Sequence, residues 1–147
     1  MPGIVVGVDG SDHSRHALAW AMREAALRDL PLQVMTVHPP PVRPATKIYW
    51  GIPSYPENSF DAELARAATQ QFVDDVAHEV GGPVPKVTVS VVTGDASEEL
   101  INASYGADML VVGTRGGGGF ARLLMGSVSS QVTHHAVCPV VVIPGPR

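Results

Sequence analysis

Five short runs of aliphatic and β-branched residues punctuate this chain: Ile4 to Val8, Leu32 to Val37, Val87 to Val91, Met109 to Val112 and Val140 to Ile143. Each is too short for a stable helix, and all but the third are bounded directly by Gly, Pro, Asp or His, so each reads as a strand. Ile4 to Val8, Met109 to Val112 and Val140 to Ile143 are continuously apolar, as strands covered on both faces are. In the third run, Val87, Val89 and Val91 alternate with Thr88 and Ser90, as in a strand nearer a sheet edge.

Helical spacing fills the intervals. Leu18, Ala21, Met22 and Ala25 predict a helix from about Ser14 to Leu30, ended by Pro31. Leu64, Ala68, Phe72, Val76 and Val80 step by four, predicting a helix from about Phe60 to Val80, which Gly81-Gly82-Pro83 terminates. Gly94-Asp95 turns into a short helix carrying Leu100, Ile101 and Ala103, and Val128, Val132 and Ala136 mark one more. Strands alternating with helices imply a parallel sheet, because each crossover returns the chain to the same end. The 147 residues suit a single α/β domain over 1–147. In such sheets ligands bind outside the carboxyl ends of the strands, where strand order reverses. That rule selects Asp9, Val37 and Gly113.

The stretch at about 38–59 has no periodicity and is rich in proline. It reads either as a solvated surface loop or, since it holds Tyr49, Trp50 and Tyr55, as a lid or partner surface.

Composition narrows the function classes. Hydrophobic residues make up 45%, aromatics only 5%, and the core must be mainly Val, Ala, Leu, Ile and Met. Formal charge is −4 and the only lysines are Lys47 and Lys86, so no basic patch offers itself to a phosphate backbone and no nucleic-acid partner is expected. No apolar stretch reaches the roughly 20 residues of a membrane span. The first strand begins at Ile4 with no basic n-region before it, and Cys138 is the single cysteine, which together suggest a cytoplasmic protein.

The segment Gly113-Thr114-Arg115-Gly116-Gly117-Gly118-Gly119 follows directly on the fourth strand. Four consecutive glycines lower backbone order, and close approach of N–H groups to an anion is one reason to keep them. A helix beginning near Gly126-Ser127 would add a positive dipole end and free N–H donors. Ser127 and Ser129 add hydroxyls, and Arg115 or Arg122 adds charge. A flexible linker is the plainer reading of the same glycines. A Walker A loop is excluded, since no lysine is near, and the formal match of Gly116 to Ala121 to a dinucleotide fingerprint lacks the later acidic residue.

The spacing Gly113-x2-Gly116-x9-Gly126-Ser127 resembles the nucleotide signature of the universal stress proteins. The likeness extends to Ile4-Val5-Val6-Gly7-Val8-Asp9-Gly10-Ser11, to the Gly94 turn, to Ala107 through Gly113, and to Cys138-Pro139-Val140-Val141-Val142. The resemblance implies a three-layer α/β/α sandwich with a five-stranded parallel sheet of order 3-2-1-4-5, like the adenine nucleotide α-hydrolases. It implies ATP as ligand, with Mg only through the nucleotide phosphates. Asp9 matches the aspartate beside the nucleotide and Val37 the residue whose backbone reads adenine. Gly113, Gly116, Gly126 and Ser127 match the ribose and phosphate contacts, with Thr114, Arg115, Gly117, Gly118, Gly119, Val128 and Ser129 on the same segment. Gly7 and Arg122 are further candidate contacts. The resemblance also implies a homodimer through Val140, Val141, Val142 and Ile143.

Other residues take blander readings. Asp9 can cap the first helix. Adjacent His134 and His135 diverge on a helix and make a poor metal pair. Cys138 reads as a small core residue, Trp20 and Phe120 as packing residues, and His13 and His16 as solvent-exposed, with His13 the best candidate base should hydrolysis occur. Three functions follow: an ATP-binding regulator of a stress response, a slow ATPase or ATP-using enzyme, or an interaction module with an empty site.

Overall fold

The computed structural model describes residues 3–39, 47–49, 52–54, 62–114 and 120–145, with the backbone course alone for 47–49, 52–54 and 120–126. In chain order the elements are β1 (Ile4–Gly7), α1 (Asp12–Arg28), β2 (Leu32–His38), β3 (Lys47–Tyr49), β4 (Ile52–Ser54), α2 (Ala62–Val80), β5 (Val87–Thr93), α3 (Ala96–Ser104), β6 (Met109–Gly113), α4 (Phe120–His135) and β7 (Val140–Ile143). The five valine-rich runs form one parallel sheet in the order β5-β2-β1-β6-β7. Counting those five strands alone, this is the expected order 3-2-1-4-5.

Strand side chains alternate between two cores. Ile4, Val6, Leu32, Val34, Val89 and Val111 pack under Leu18, Ala21, Met22 and Ala25 of α1 and Val73 and Val76 of α2. Val5, Met35, Leu110 and Val112 pack under Leu100 of α3 and Val128 and Val132 of α4. The sheet is thus covered on both faces, which is what its unbroken aliphatic runs demand.

Three expectations need correction. The stretch at about 38–59 is not without structure, since Lys47–Tyr49 and Ile52–Ser54 pair antiparallel; with three residues a strand and Pro53 in one of them, the sequence carries too few alternations to signal it. On α2 the stripe of fours is buried only toward its carboxyl end: Val76 is buried and Phe72 and Val80 pack on the core, whereas Leu64 is 68% exposed and Ala68 is exposed, with Thr69 and Val73, off the stripe, buried in their place. Four residues turn a helix by about 400°, so a strict step of four drifts off the face that a 3.6 period keeps. Finally, α4 begins at Phe120 rather than near Gly126. Phe-Ala-Arg-Leu-Leu-Met contains strong helix formers, and they carry the helix back to the glycine run.

Local chemistry sets the ends of the other helices. The Ser11 hydroxyl caps α1, accepting the Ser14 N–H, and the Asp95 carboxylate caps α3, accepting the Glu98 N–H. Gly81 stops α2 with a positive φ of 65°.

Candidate functional site

Chain order reverses between β1 and β6, so the switch point lies where the β1–α1 loop and the segment after β6 leave the sheet side by side. Asp9 lies in the first of these. It does not cap α1 itself; its Oδ1 accepts the Ser11 N–H at 3.0 Å and the Ser11 hydroxyl, and thereby fixes the capping residue. Gly10, at φ 82°, supplies the turn that lets this happen. The carboxylate stays exposed at the mouth of the switch point.

Val37 meets the same mouth through its backbone. The Met35 carbonyl accepts the Val8 N–H, so it points toward β1. Main-chain groups two residues apart on a strand point the same way, which aims the Val37 N–H and C=O toward β1 as well. The β1–β2 register ends at Gly7–Met35. The Val37 donor and acceptor therefore stand over the end of β1, above the turn that holds Asp9. Thr36 and His38 face the other way and, with Val8, Asp9, Thr69 and Phe72, line a cleft of about 170 Å³ under α2. Sequence reasoning did not select Thr36, His38, Thr69 or Phe72. The period of two along β2 put Thr36 and His38 within its reach; the two α2 residues come from tertiary packing. Larger hollows of about 380 and 560 Å³ lie at the opposite, amino ends of the strands, around Pro31 and Thr88, where this class of sheet does not place its ligands.

Two of the predicted glycines have packing reasons to be glycine. A Cβ on Gly7 would stand 2.9 Å from Leu100 Cδ1, so Gly7 is buried under α3. A Cβ on Gly113 would stand 3.0 Å from the His13 carbonyl oxygen, so Gly113 lets α1 approach β6. Thr114 continues from β6, its N–H bonded to the Ile143 carbonyl at 2.8 Å and its Oγ1 accepting the Gly145 N–H at 3.3 Å. Arg115, Gly116, Gly117, Gly118 and Gly119 lie outside the described residues. Arg122 and Gly126 are in α4, as are Ser127 (exposed), Val128 (buried) and Ser129 (half-buried). Because α4 starts at Phe120, its four unbonded N–H groups belong to residues 120–123, and Gly126-Ser127 lies in the helix interior. The first turn of α4 has no acidic residue to repel an anion.

His13 is not exposed. It is 97% buried, its Nδ1 has no hydrogen-bond partner among the described residues, and its ring fills the space where a Gly145 side chain would be. A ring so covered is not placed to activate a water. His16 is exposed and Trp20 packs on the first core, as expected. Cys138 packs on the second core, and burial raises its thiol above the usual range, Asp108 adding to the effect and a backbone hydrogen bond opposing it. The exposed His134 ring contacts the Ser130 carbonyl at 2.7 Å, and among the described residues no three His, Cys, Asp or Glu side chains gather as a metal site. No described helix is long and apolar enough to cross a membrane.

The model of the universal stress protein family matches residues 2–144. A universal stress protein of Mycolicibacterium smegmatis is 38% identical over 97% of this chain and 48% of its own length; one of Mycobacterium bovis is 36% identical over the same shares. The chain spans about half the length of these curated relatives. Among solved structures, a universal stress protein in complex with cAMP superposes with a TM-score of 0.65 at 26% identity, covering 97% of this chain and 95% of that one. The Archaeoglobus fulgidus universal stress protein in complex with dAMP gives 0.64 at 22% identity over 97% and 98%, a likeness of fold.

Proposed function

This chain belongs to the universal stress protein family, and on that premise we propose that it binds an adenine nucleotide, ATP, at the carboxyl end of its sheet and acts as a nucleotide-dependent regulator in a stress response. The carrying observation is the Val37 main chain, whose donor and acceptor stand over the end of β1 beside Asp9. An N–H and C=O so spaced match the edge of adenine without any side chain. Asp9 lies within the same mouth for a ribose, and the signature from Gly113 to Ser127 continues toward the phosphates. Related structures solved with cAMP and dAMP support an adenine ligand. Mg would be held mainly by the phosphates, since the described residues offer Asp9 alone at this mouth.

The same reading includes a homodimer through β7. Pro139 and Ile143 carbonyls accept from β6, so by alternation the main-chain groups of Val140 and Val142 point outward. A second copy laid antiparallel, with its two-fold axis at Val141, would set Val140 opposite Val142 and exchange N–H···O bonds at both pairs. The ATPase reading is weaker, because the best candidate base, His13, is covered.

The test is to denature freshly purified protein and chromatograph the released nucleotide, beside Asp9→Ala and Gly126→Val. ATP in the parent, reduced at least tenfold in both variants, is the expected result. A parent that carries no nucleotide and gives no heat with Mg-ATP overturns the reading and favours an interaction module.

A further inference from the structure

Beyond β7 the chain crosses back over the first turn of α1. Gly145 is held there by two neighbours of different character. Its N–H reaches the Thr114 Oγ1 at 3.3 Å, and its Cα lies against the His13 ring so closely that a Cβ would fall 1.7 Å from Nδ1 and 2.0 Å from Cε1. Only glycine can occupy this position while the ring stays where it is. The ring in turn is fixed from below, since the His13 main chain abuts Gly113.

Both contacts leave something unfinished. The hydrogen bond is at the long end of the N–H···O range. The His13 Nδ1, sealed beneath Gly145, has no partner among the described residues, although buried polar nitrogens are nearly always satisfied. Seating the segment therefore hides a nitrogen that lifting it would hydrate. An input that strengthens the Gly145 hydrogen bond would favour the seated arrangement over a lifted one.

Thr114 is where that input arrives. It follows β6 directly and is separated from the glycine run by Arg115 alone, and a hydroxyl that accepts one hydrogen bond keeps its own proton to donate. We propose that Thr114, Gly145 and His13 form a latch between the nucleotide site and the chain leaving β7. A phosphate oxygen accepts a hydrogen bond from the Thr114 hydroxyl, the polarised oxygen binds the Gly145 N–H more strongly, and the segment beyond β7 is seated on His13. By linkage the seated segment in turn favours the nucleotide. Thr114 and His13 are positioning residues here. The latch rests on the nucleotide reading above and adds to it a defined mechanical output at the same sheet edge that is open to a second copy.

Gly145 lies between Pro144 and Pro146 and so carries the one amide proton of that stretch, which makes it a clean reporter. Amide exchange at Gly145 is measured by NMR with and without Mg-ATP, with calorimetry of ATP binding on the same samples. In the parent and in Thr114→Ser, ATP is expected to slow exchange at least fivefold. In Thr114→Val, of equal shape but lacking the hydroxyl, ATP leaves the rate unchanged. In His13→Phe, which replaces the orphaned nitrogen by carbon, exchange is slow already without nucleotide and ATP adds little. If the parent binds ATP and Gly145 exchange does not respond, the latch is overturned while the nucleotide reading stands. The same holds if Thr114→Val responds like the parent. If the parent binds no ATP, both fall together.

Discussion

The two edges of the sheet are finished differently. At the β5 edge Thr88 and Ser90 break the apolar run, and the outward-facing Val89 carbonyl receives the Arg66 guanidinium of α2 at 2.8 Å. A charged side chain seated on an edge carbonyl blocks a further strand from pairing there. At the β7 edge all four residues are aliphatic and half-buried, and among the described residues nothing comparable sits on the outward groups of Val140 and Val142. Both are the outermost strands of one sheet, so the contrast is not one of position in the fold. One edge carries a charged side chain on its outward carbonyl, and the other fits the dimer proposed above.

The comparison can be attacked in order of effect. Leu110 is fully buried on β6, directly across from Val140. Leu110→Ala should cost about 2–5 kcal/mol, lowering the melting temperature by roughly 10 °C in calorimetry, and should loosen β7 before β5 in amide exchange. Equal loosening at both edges would show that β7 does not depend on this backing. Val142→Pro is more selective. The Val142 N–H points away from β6, so proline removes an outward donor without opening the β6–β7 ladder, as edge strands tolerate. The dissociation constant of the proposed dimer should rise on the order of 100-fold, or about 3 kcal/mol, in sedimentation equilibrium; a parent that is monomeric, or a dimer that this variant leaves unaltered, would overturn pairing through β7. Arg66→Ala opens the guarded edge. It should destabilise the monomer by about 0.5–1.5 kcal/mol and produce concentration-dependent association that Val142→Pro does not remove. Smallest is a chemical probe. Cys138 lies two residues before β7, and burial raises its thiol, so it holds its proton at neutral pH. Iodoacetamide should react slowly at pH 7 and faster as pH climbs past the ordinary thiol range, with Val142→Pro reacting faster than the parent.

Much of this could be read from the sequence, and the failures share a cause. Valine runs between turn residues identify strands because a buried parallel strand has no other economical composition. The switch point followed from topology, and with it Asp9 and Val37. What escaped depends on neighbours distant in the chain. His13 reads as exposed beside Asp12 and Ser14, yet Ala17 and Ala21 follow it at intervals of four, and extending that stripe backwards by one step would have predicted its burial. The Arg66–Val89 bond joins residues 23 apart with no local pattern to announce it. Gly126 suggests a boundary for α4, whereas good helix formers on its amino side outweigh the roughly 1 kcal/mol that an interior glycine costs. Gly7 and Gly113 were assigned to ligand contact, and the structure supplies each with a packing neighbour as well.

The contact of Gly7 with Leu100 also bears on how such a chain can change over generations. A methyl group at position 7 would stand 2.9 Å from Leu100 Cδ1, the far end of a flexible side chain, so alanine there requires the leucine to shift or to be shortened. Shortening residue 100 first leaves a void that the methyl group then fills. Of the two mutational routes between the same pair of end points, one passes through a strained protein and the other through a merely loosened one, and inheritance should favour the second.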